Sequence, residues 1–168
     1  MNSGLEQVKA ALVSALQRAG LDAVSAYAPG WAKARQSPVA AVGFRRGESR
    51  SGAMNSYLGT QLDPETQARR EIYGMRLDLT LSLDIYSPPE AGAAGCERAL
   101  ETLHQVLLEG LPSGLRSTEL RWEETVWDEE TSMFLRRGSL ACGAFFTASA
   151  TEDSVLLSDF ILKGSMMR

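Results

Sequence analysis

Apolar and polar residues alternate along the segment from Tyr73 to Tyr86. Side chains on a β-strand point alternately to opposite faces of a sheet, so this pattern predicts a strand with one buried face. A strand of this length extends about 45 Å, whereas a typical strand extends about 17–20 Å. We therefore expect its ends to reach beyond the core of one small domain. The apolar positions are Tyr73, Met75, Leu77, Leu79, Leu81, Leu83 and Ile85.

Two other segments repeat their apolar residues with the period of a helix. Residues 3–19 begin at Ser3, a favourable N-cap with Glu6 three residues later, and they end before Gly20, a natural C-cap. Residues 96–110 form the second helix. Each segment has a single apolar stripe, so both helices are expected to lie on a sheet. The stripes comprise Leu5, Val8, Leu12, Leu16 and Ala19 in the first helix and Ala99, Leu100, Leu103, Val106, Leu107 and Leu111 in the second.

The remaining apolar segments have the character of strands and give the element order α-β-β-β-α-β-β-β. A short strand is predicted in Leu21 to Tyr27 and a longer one in Pro38 to Arg46. After the second helix come Ser117 to Trp127, Met133 to Ala150 and Val155 to Lys163. Short connections favour antiparallel pairing. We therefore predict a single α+β domain over residues 1–168, with a mostly antiparallel sheet and two helices packed on one face.

Residues 47–71 are the least core-like part of the chain. This segment is polar, rich in Gly and Ser, and contains Asp63-Pro64. Compact domains rarely contain a loop of this length unless it is functional or disordered. We predict an extended polar loop or arm, in which Met54, Tyr57, Leu58 and Leu62 are scattered apolar anchors that could pack on a neighbour.

Arginines bracket this segment and suggest that its two ends meet at one edge of the sheet. One interpretation is solvated charge beside a flexible loop. The other is a docking patch for an acidic neighbour, such as the predicted hairpin loop at Asp128 to Glu130 of an adjacent copy. The candidate subunit interface therefore comprises Arg45, Arg46, Arg50, Tyr57, Arg69, Arg70, Asp128, Glu129 and Glu130.

Composition narrows the class of protein. Of 168 residues, 44% are hydrophobic and 23% are charged, which is typical of a chain with a packed core. The net charge of −4 argues against sequence-independent binding of nucleic acid over the whole surface. No apolar run approaches the roughly 20 residues that span a bilayer, and the N-terminus lacks the features of a signal peptide. The expected location is the cytoplasm.

Residues that could carry catalysis are few and isolated. His104 is the single histidine, and nucleophilic triads and most zinc sites would need it with partners. Cys96 and Cys142 form neither a disulfide framework nor a CxxC pair. Asp78 and Asp84 lie about 20 Å apart on a strand, too far for a glycosidase pair. We therefore predict no catalytic, cofactor-binding or metal-binding residues, and a protein that is not an enzyme.

The order of elements resembles the tail terminator, or tail completion, proteins of long-tailed bacteriophages and related prophages. The sequences that carry the resemblance are LDLTLSLDIYSP at 77–88, the helix at 96–110, and RRGSLACGAFFTA followed by LLSDFILKG near the end of the chain. The resemblance covers nearly the whole chain in the order of its elements. It transfers no functional residue, because the family shares a fold more than signature residues.

The resemblance implies a structural protein that forms a ring, with six copies as the expected number. Such a ring caps the tail tube, ends its polymerisation and joins it to the head connector. The implied partners are further copies of the chain, the tail tube protein and the head–tail connector. No membrane or sequence-specific nucleic acid is implied, although DNA would pass through the lumen. The implied location is the cytoplasm of the host bacterium during assembly, and then the virion tail.

Two other functions remain open. The chain could be another head–tail joining or tube-like structural subunit of a phage. It could also be a small α+β ligand-binding domain or enzyme, which would need an apolar pocket with converging polar groups, His104 among them.

Overall fold

Two antiparallel strands of 19 residues each run through the middle of the protein. They belong to a computed structural model that describes residues 4–25, 35–51, 56–111, 115–151 and 160–162. Within these residues the helices are α1 (Gly4–Arg18) and α2 (Gly92–Glu109). The strands are β1 (Asp22–Val24), β2 (Val39–Ser51), β3 (Tyr57–Leu62), β4 (Arg69–Ser87), β5 (Leu115–Asp128), β6 (Met133–Thr151) and β7 (Phe160–Leu162).

The described strands form one sheet in the order β1-β2-β4-β6-β5. The central strands β4 and β6 pair from Arg70 opposite Thr151 to Ser87 opposite Phe134. Both β2 and β3 pair with β4, along different parts of its length. Both β5 and β7 pair with β6 in the same way. All pairs are antiparallel except β1 with β2. The predicted α+β class, with two helices and a mostly antiparallel sheet, is confirmed.

One face of the sheet, which we call the helix-side face, carries both helices. The odd-numbered leucines of β4 pack there against α1 and α2, as the alternation predicts. This core includes Val8, Leu12 and Leu16 of α1, Leu79, Leu81 and Leu83 of β4, and Cys96, Ala99 and Leu103 of α2. Burying each of the larger aliphatic side chains contributes roughly 1.5–3 kcal/mol. The face prediction for β4 is therefore confirmed from Leu77 to Ile85.

The opposite face, which we call the reverse face, has a smaller buried cluster near the end of β4. It contains Val39, Ala41, Tyr86, Met133 and Leu135. Tyr86 occupies an even position of β4, on the face that the sequence pattern assigns to polar residues. At this end the sheet is therefore buried on both sides.

The predicted loop at 47–71 is mostly strand. β2 continues to Ser51, β3 spans Tyr57–Leu62, and β4 already begins at Arg69. The element order is therefore α-β-β-β-β-α-β-β-β, with one strand more before α2 than predicted. Where both faces of a sheet are solvated, a strand needs backbone partners and not an alternating pattern, so the polar sequence concealed it.

The other strand boundaries agree more closely with the prediction. β1 lies within Leu21 to Tyr27, although Tyr27 itself is outside the described residues. The last predicted strand, Val155 to Lys163, contains β7, while 152–159 and Lys163 are not described. The proposed N-cap Ser3 and the anchor Met54 also lie outside the described residues.

Candidate subunit interface

Residues 56–76, which we call the hairpin tip, extend the sheet beyond its helices. β3 pairs with the first residues of β4, from Leu62 opposite Arg69 to Tyr57 opposite Tyr73. The connecting turn is built around Asp63, whose Oδ1 accepts hydrogen bonds from the backbone N–H of Glu65 at 2.9 Å and of Thr66 at 3.2 Å. These bonds hold the pKa of the Asp63 carboxyl below its usual value. The tip is therefore a structured turn with a defined geometry.

Apolar side chains are exposed at the hairpin tip. Tyr57 is 41% exposed, Leu62 is 52% and Met75 is 42%. Residues directly opposite each other on paired strands share a face, so all three lie on the helix-side face. Tyr57 packs edge-on against Tyr73 with ring centroids 5.7 Å apart. The apolar row of β4 thus continues past the helices and is left without a cover among the described residues.

The arginines of the candidate interface lie along one flank of the sheet, but they do not form one cluster. Arg46 lies opposite Thr80 of β4, ten residues from Arg70, which corresponds to about 33 Å along the strand. Three of the arginines have carboxylate partners in the same chain. These are Arg45 with Asp84 at 3.5 Å, Arg50 with Glu48 at 3.3 Å, and Arg70 with Asp63 at 2.7 Å.

The other two arginines differ in orientation. Arg46 and Arg69 are exposed, and within the described ranges neither forms a salt bridge. A bulge at Arg45 shifts the register of β2, so Arg46 lies on the reverse face. Arg69 lies opposite Leu62 and shares the helix-side face with it. The hairpin tip therefore presents the guanidinium group of Arg69 beside exposed apolar side chains.

Residues 115–130, which we call the tryptophan edge, form the opposite flank. Trp122 and Trp127 are each 47% exposed, and Val126 is 41% exposed. Trp122 packs edge-on against His104 of α2 at 5.0 Å, and Trp127 against Phe134 at 5.1 Å. Each indole is thus held in place on one side and open on the other.

Sequence reasoning did not select these tryptophans. Simple alternation along a strand from Ser117 to Trp127 would place Trp122 and Val126 on one face. A bulge between Trp122 and Thr125 shifts the register, so Val126 lies opposite Leu135 on the reverse face while Trp122 stays beside α2. The adjacent glutamates within that bulge, Glu123 and Glu124, could have indicated an exposed edge strand, because charged residues and bulges are common on such strands.

Carboxylates surround the tryptophan edge. Asp128 belongs to the β5–β6 turn, where its Oδ2 accepts hydrogen bonds from the backbone N–H of Thr131 at 3.2 Å and from its hydroxyl at 2.6 Å. Glu129 and Glu130 are exposed at the same turn, and Glu123 and Glu124 are exposed on β5. In the part of the chain that the structure describes, none of these four glutamates forms a salt bridge. The edge therefore combines exposed indoles with exposed negative charge.

The two surfaces lie at opposite ends of the sheet. Arg70 is near the start of β4, whereas Ser87 at its end lies opposite Phe134, beside the turn that holds Glu129 and Glu130. Seventeen residues separate these positions on β4, which corresponds to about 56 Å. Arg69 and Arg70 therefore cannot meet Asp128, Glu129 and Glu130 within one chain.

The residues considered for catalysis are dispersed. Cys96 is buried beneath α2, where its Sγ lies 3.7 Å from the carbonyl of Ile85, and burial raises the pKa of its thiol. Burial also raises the pKa of Cys142 to about 11. Among the described residues, no group of three or more His, Cys, Asp or Glu side chains is arranged to hold a metal ion. The expectation that the protein is not an enzyme stays a prediction.

Comparison with known proteins adds no relative. Neither the protein-family models nor the curated proteins give a significant match to the chain. Neither of the two described helices, α1 or α2, combines the length and the apolar character that a membrane crossing requires. The geometry of the two surfaces and the resemblance in element order are therefore the features that point to a function.

Proposed function

We propose that this protein is a tail terminator, a structural protein of phage or prophage morphogenesis. In this role, copies of the chain form a ring on the end of the tail tube. The ring ends polymerisation of the tube and offers its other side to the head connector. It acts in the host cytoplasm during assembly and stays in the virion tail.

The observation that carries the proposal is the pair of unlike surfaces at the two ends of the sheet. The hairpin tip exposes apolar side chains and Arg69, whereas the tryptophan edge exposes indoles and carboxylates. A contact between two different surfaces is heterologous, and it generates a closed ring when the rotation between neighbours closes. A terminator needs this property, because a contact that failed to close would continue as a filament.

The size and charge of the subunit agree with this role. Strands of 19 residues are longer than one small core requires and leave surface for neighbours. The net charge of −4 suits a channel through which DNA passes without being retained, because like charges repel. The tube protein and the head connector are the remaining partners in this proposal.

The experiment is to measure mass and shape together. Size-exclusion chromatography with light scattering gives the mass of the assembly at increasing protein concentration, and negative-stain electron microscopy gives its shape. We expect closed rings of one size, with six copies as the expected number. A chain that stays at its monomer mass of 18.2 kDa at tens of micromolar would contradict the proposal.

The same measurement separates the second candidate, a tube-like structural subunit. The long paired strands of this chain and its exposed sheet edges also favour this alternative. A tube subunit would form filaments whose length grows with concentration, whereas a terminator would stop at one ring. Filaments in the micrographs would therefore replace the first proposal with the second.

A further inference from the structure

We infer that the hairpin tip of one copy binds the tryptophan edge of the next copy, with Tyr57, Leu62 and Met75 packing on Trp122 and Trp127. This inference rests on the proposed ring, and it names the surfaces that would join its subunits. Neither tryptophan belongs to the interface predicted from the sequence. The partner is a second copy of this chain.

Both surfaces have the composition of an interface core. Each surface carries several large apolar or aromatic side chains that are about half exposed, and exposed apolar patches mark sites of association. Aromatic residues are enriched among those that dominate binding energy. The indoles of Trp122 and Trp127 are already fixed by His104 and Phe134, so little side-chain freedom would be lost on binding.

Charge favours a second copy as the occupant, because the acidic tryptophan edge would attract the Arg69 guanidinium group of the tip. From Glu90 to Arg137 the chain carries ten carboxylates and five arginines, a formal charge of −5. From Val39 to Ser87 it carries six of each and is neutral. Arg69 lies on the helix-side face of the tip, beside Leu62, and has no carboxylate partner among the described residues. Glu71 shares that face, but it accepts a hydrogen bond from the Tyr73 hydroxyl at 2.5 Å.

The contact would be made by side chains and not by added strand pairing. β5 has two bulges, between Ser117 and Glu119 and between Trp122 and Thr125. Bulges and charged side chains on an edge strand oppose pairing with another chain. The indoles are displayed on the side of α2 and leave the bulged backbone outside the contact. This arrangement fits an apolar centre with a charged rim.

Two double variants test the inference, and each of them disrupts one of the two surfaces. The tip variant carries Leu62→Asp and Arg69→Glu, and the edge variant carries Trp122→Asp and Trp127→Asp, so the two disrupted surfaces are both acidic and do not attract each other. All four positions are exposed, so both variants should fold. Each alone loses one surface and should elute as a monomer of 18.2 kDa.

Mixing the two variants gives the decisive measurement. The tip variant keeps an intact edge and the edge variant keeps an intact tip, so one good contact remains. We expect a one-to-one heterodimer of about 36 kDa, twice the 18.2 kDa of one chain, and no ring. A mixture that stays monomeric, or a single variant that still forms the wild-type ring, would overturn the inference.

Controls separate this inference from the proposed function. Leu5→Asp with Arg18→Glu repeats the tip substitutions on exposed positions of α1 and should leave assembly unchanged. Trp122→Ala, checked for a native circular dichroism spectrum, should weaken self-association at least tenfold. Rings that persist in all the tip and edge variants would reject these surfaces but leave the ring function standing. A wild-type chain that never associates would reject both.

Discussion

The two halves of β4 differ in burial although both pair with β6. From Leu77 to Ser87 the strand lies under the helices, and Leu81 is only 1% exposed. From Arg69 to Arg76 it pairs equally well with β6, yet Met75 is 42% exposed. Hydrogen bonding therefore continues where burial ends. We call the first part the covered half and the second the bare half.

Element lengths explain this difference. The 18 residues of α2 extend about 27 Å at about 1.5 Å per residue, and the 15 residues of α1 about 22 Å. The 19 residues of β4 extend about 63 Å at about 3.3 Å per residue. Two helices of this size cannot cover such a strand. The bare half is thus a direct result of the lengths, and it is the part available to a neighbour.

The largest expected contrast comes from charges introduced in each half. Leu81→Asp buries an unpaired carboxylate and should lower the free energy of unfolding by about 3–5 kcal/mol. Met75→Asp, on the same face of the same strand, should change it by less than about 1 kcal/mol. Chemical denaturation followed by circular dichroism measures both. Equal effects would show that the bare half belongs to the core.

Alkaline pH should act on the covered half. Burial, and then the nearby charges of Asp84 and Asp128, raise the pKa of Tyr86 from 10.0 to about 12. The folded protein therefore retains this proton more strongly than the unfolded chain, and the resulting stability is complete below pH 10. As pH rises from 10 to 12 it should be lost, by roughly 2–3 kcal/mol at most. Thermal unfolding across this range measures the loss, and Tyr86→Phe should reduce it.

Two glycines of β6 lie opposite the covered half of β4 and differ in how closely the backbone approaches them. A Cβ at Gly138 would lie 2.6 Å from the backbone carbonyl oxygen of Leu83. Gly138→Ala should therefore destabilise the fold by about 1–3 kcal/mol, because backbone must shift. At Gly143 the nearest atoms are 3.9 Å away, so Gly143→Ala should be within about 0.5 kcal/mol of wild type. A similar cost for both would contradict the close approach at Gly138.

The smallest effect is expected at the tip of the bare half. Asp63→Asn weakens the hydrogen bonds that Asp63 accepts in the turn and the salt bridge to Arg70. Amide hydrogen exchange should become faster at 64–70, with the melting temperature unchanged. The pKa of Asp63 is lowered in the fold, so its carboxylate stabilises the turn only while it is ionised. Wild type should therefore show the same loss of protection from exchange at 64–70 as pH falls below about 4. A lower melting temperature for the variant would show that the turn supports the whole fold.

The sequence predicted the covered half well and the bare half poorly, for one physical reason. Burial imposes a pattern, so the leucines of β4 and the stripes of α1 and α2 identified their elements and faces. β3 is exposed on both sides and is held by backbone hydrogen bonds that no side-chain pattern records. The bulge after Trp122 likewise changes the face of the following residues without any change in composition.

The candidate interface was predictable only in part. The sequence shows the positive charge at 45, 46, 50, 69 and 70, but the fold decides which of these arginines pair with carboxylates. Asp84, for example, approaches Arg45 because a bulge displaces one residue of β2. The importance of Trp122 depends on an edge position that only the strand order reveals. Without the strand order in the sheet, the pattern of aromatic residues in an alternating strand predicts that they are buried in the core.

The long pairing of β4 with β6 also has a mechanical consequence. Tension applied between the start of β4 at Arg69 and the start of β6 at Met133, which lie at opposite ends of the pair, would pull these antiparallel strands in shear. In shear, many interstrand hydrogen bonds share the load and must yield together, whereas peeling breaks them one at a time. A particle whose interior is pressurised by packed DNA would gain a stiff link from subunits loaded in this direction.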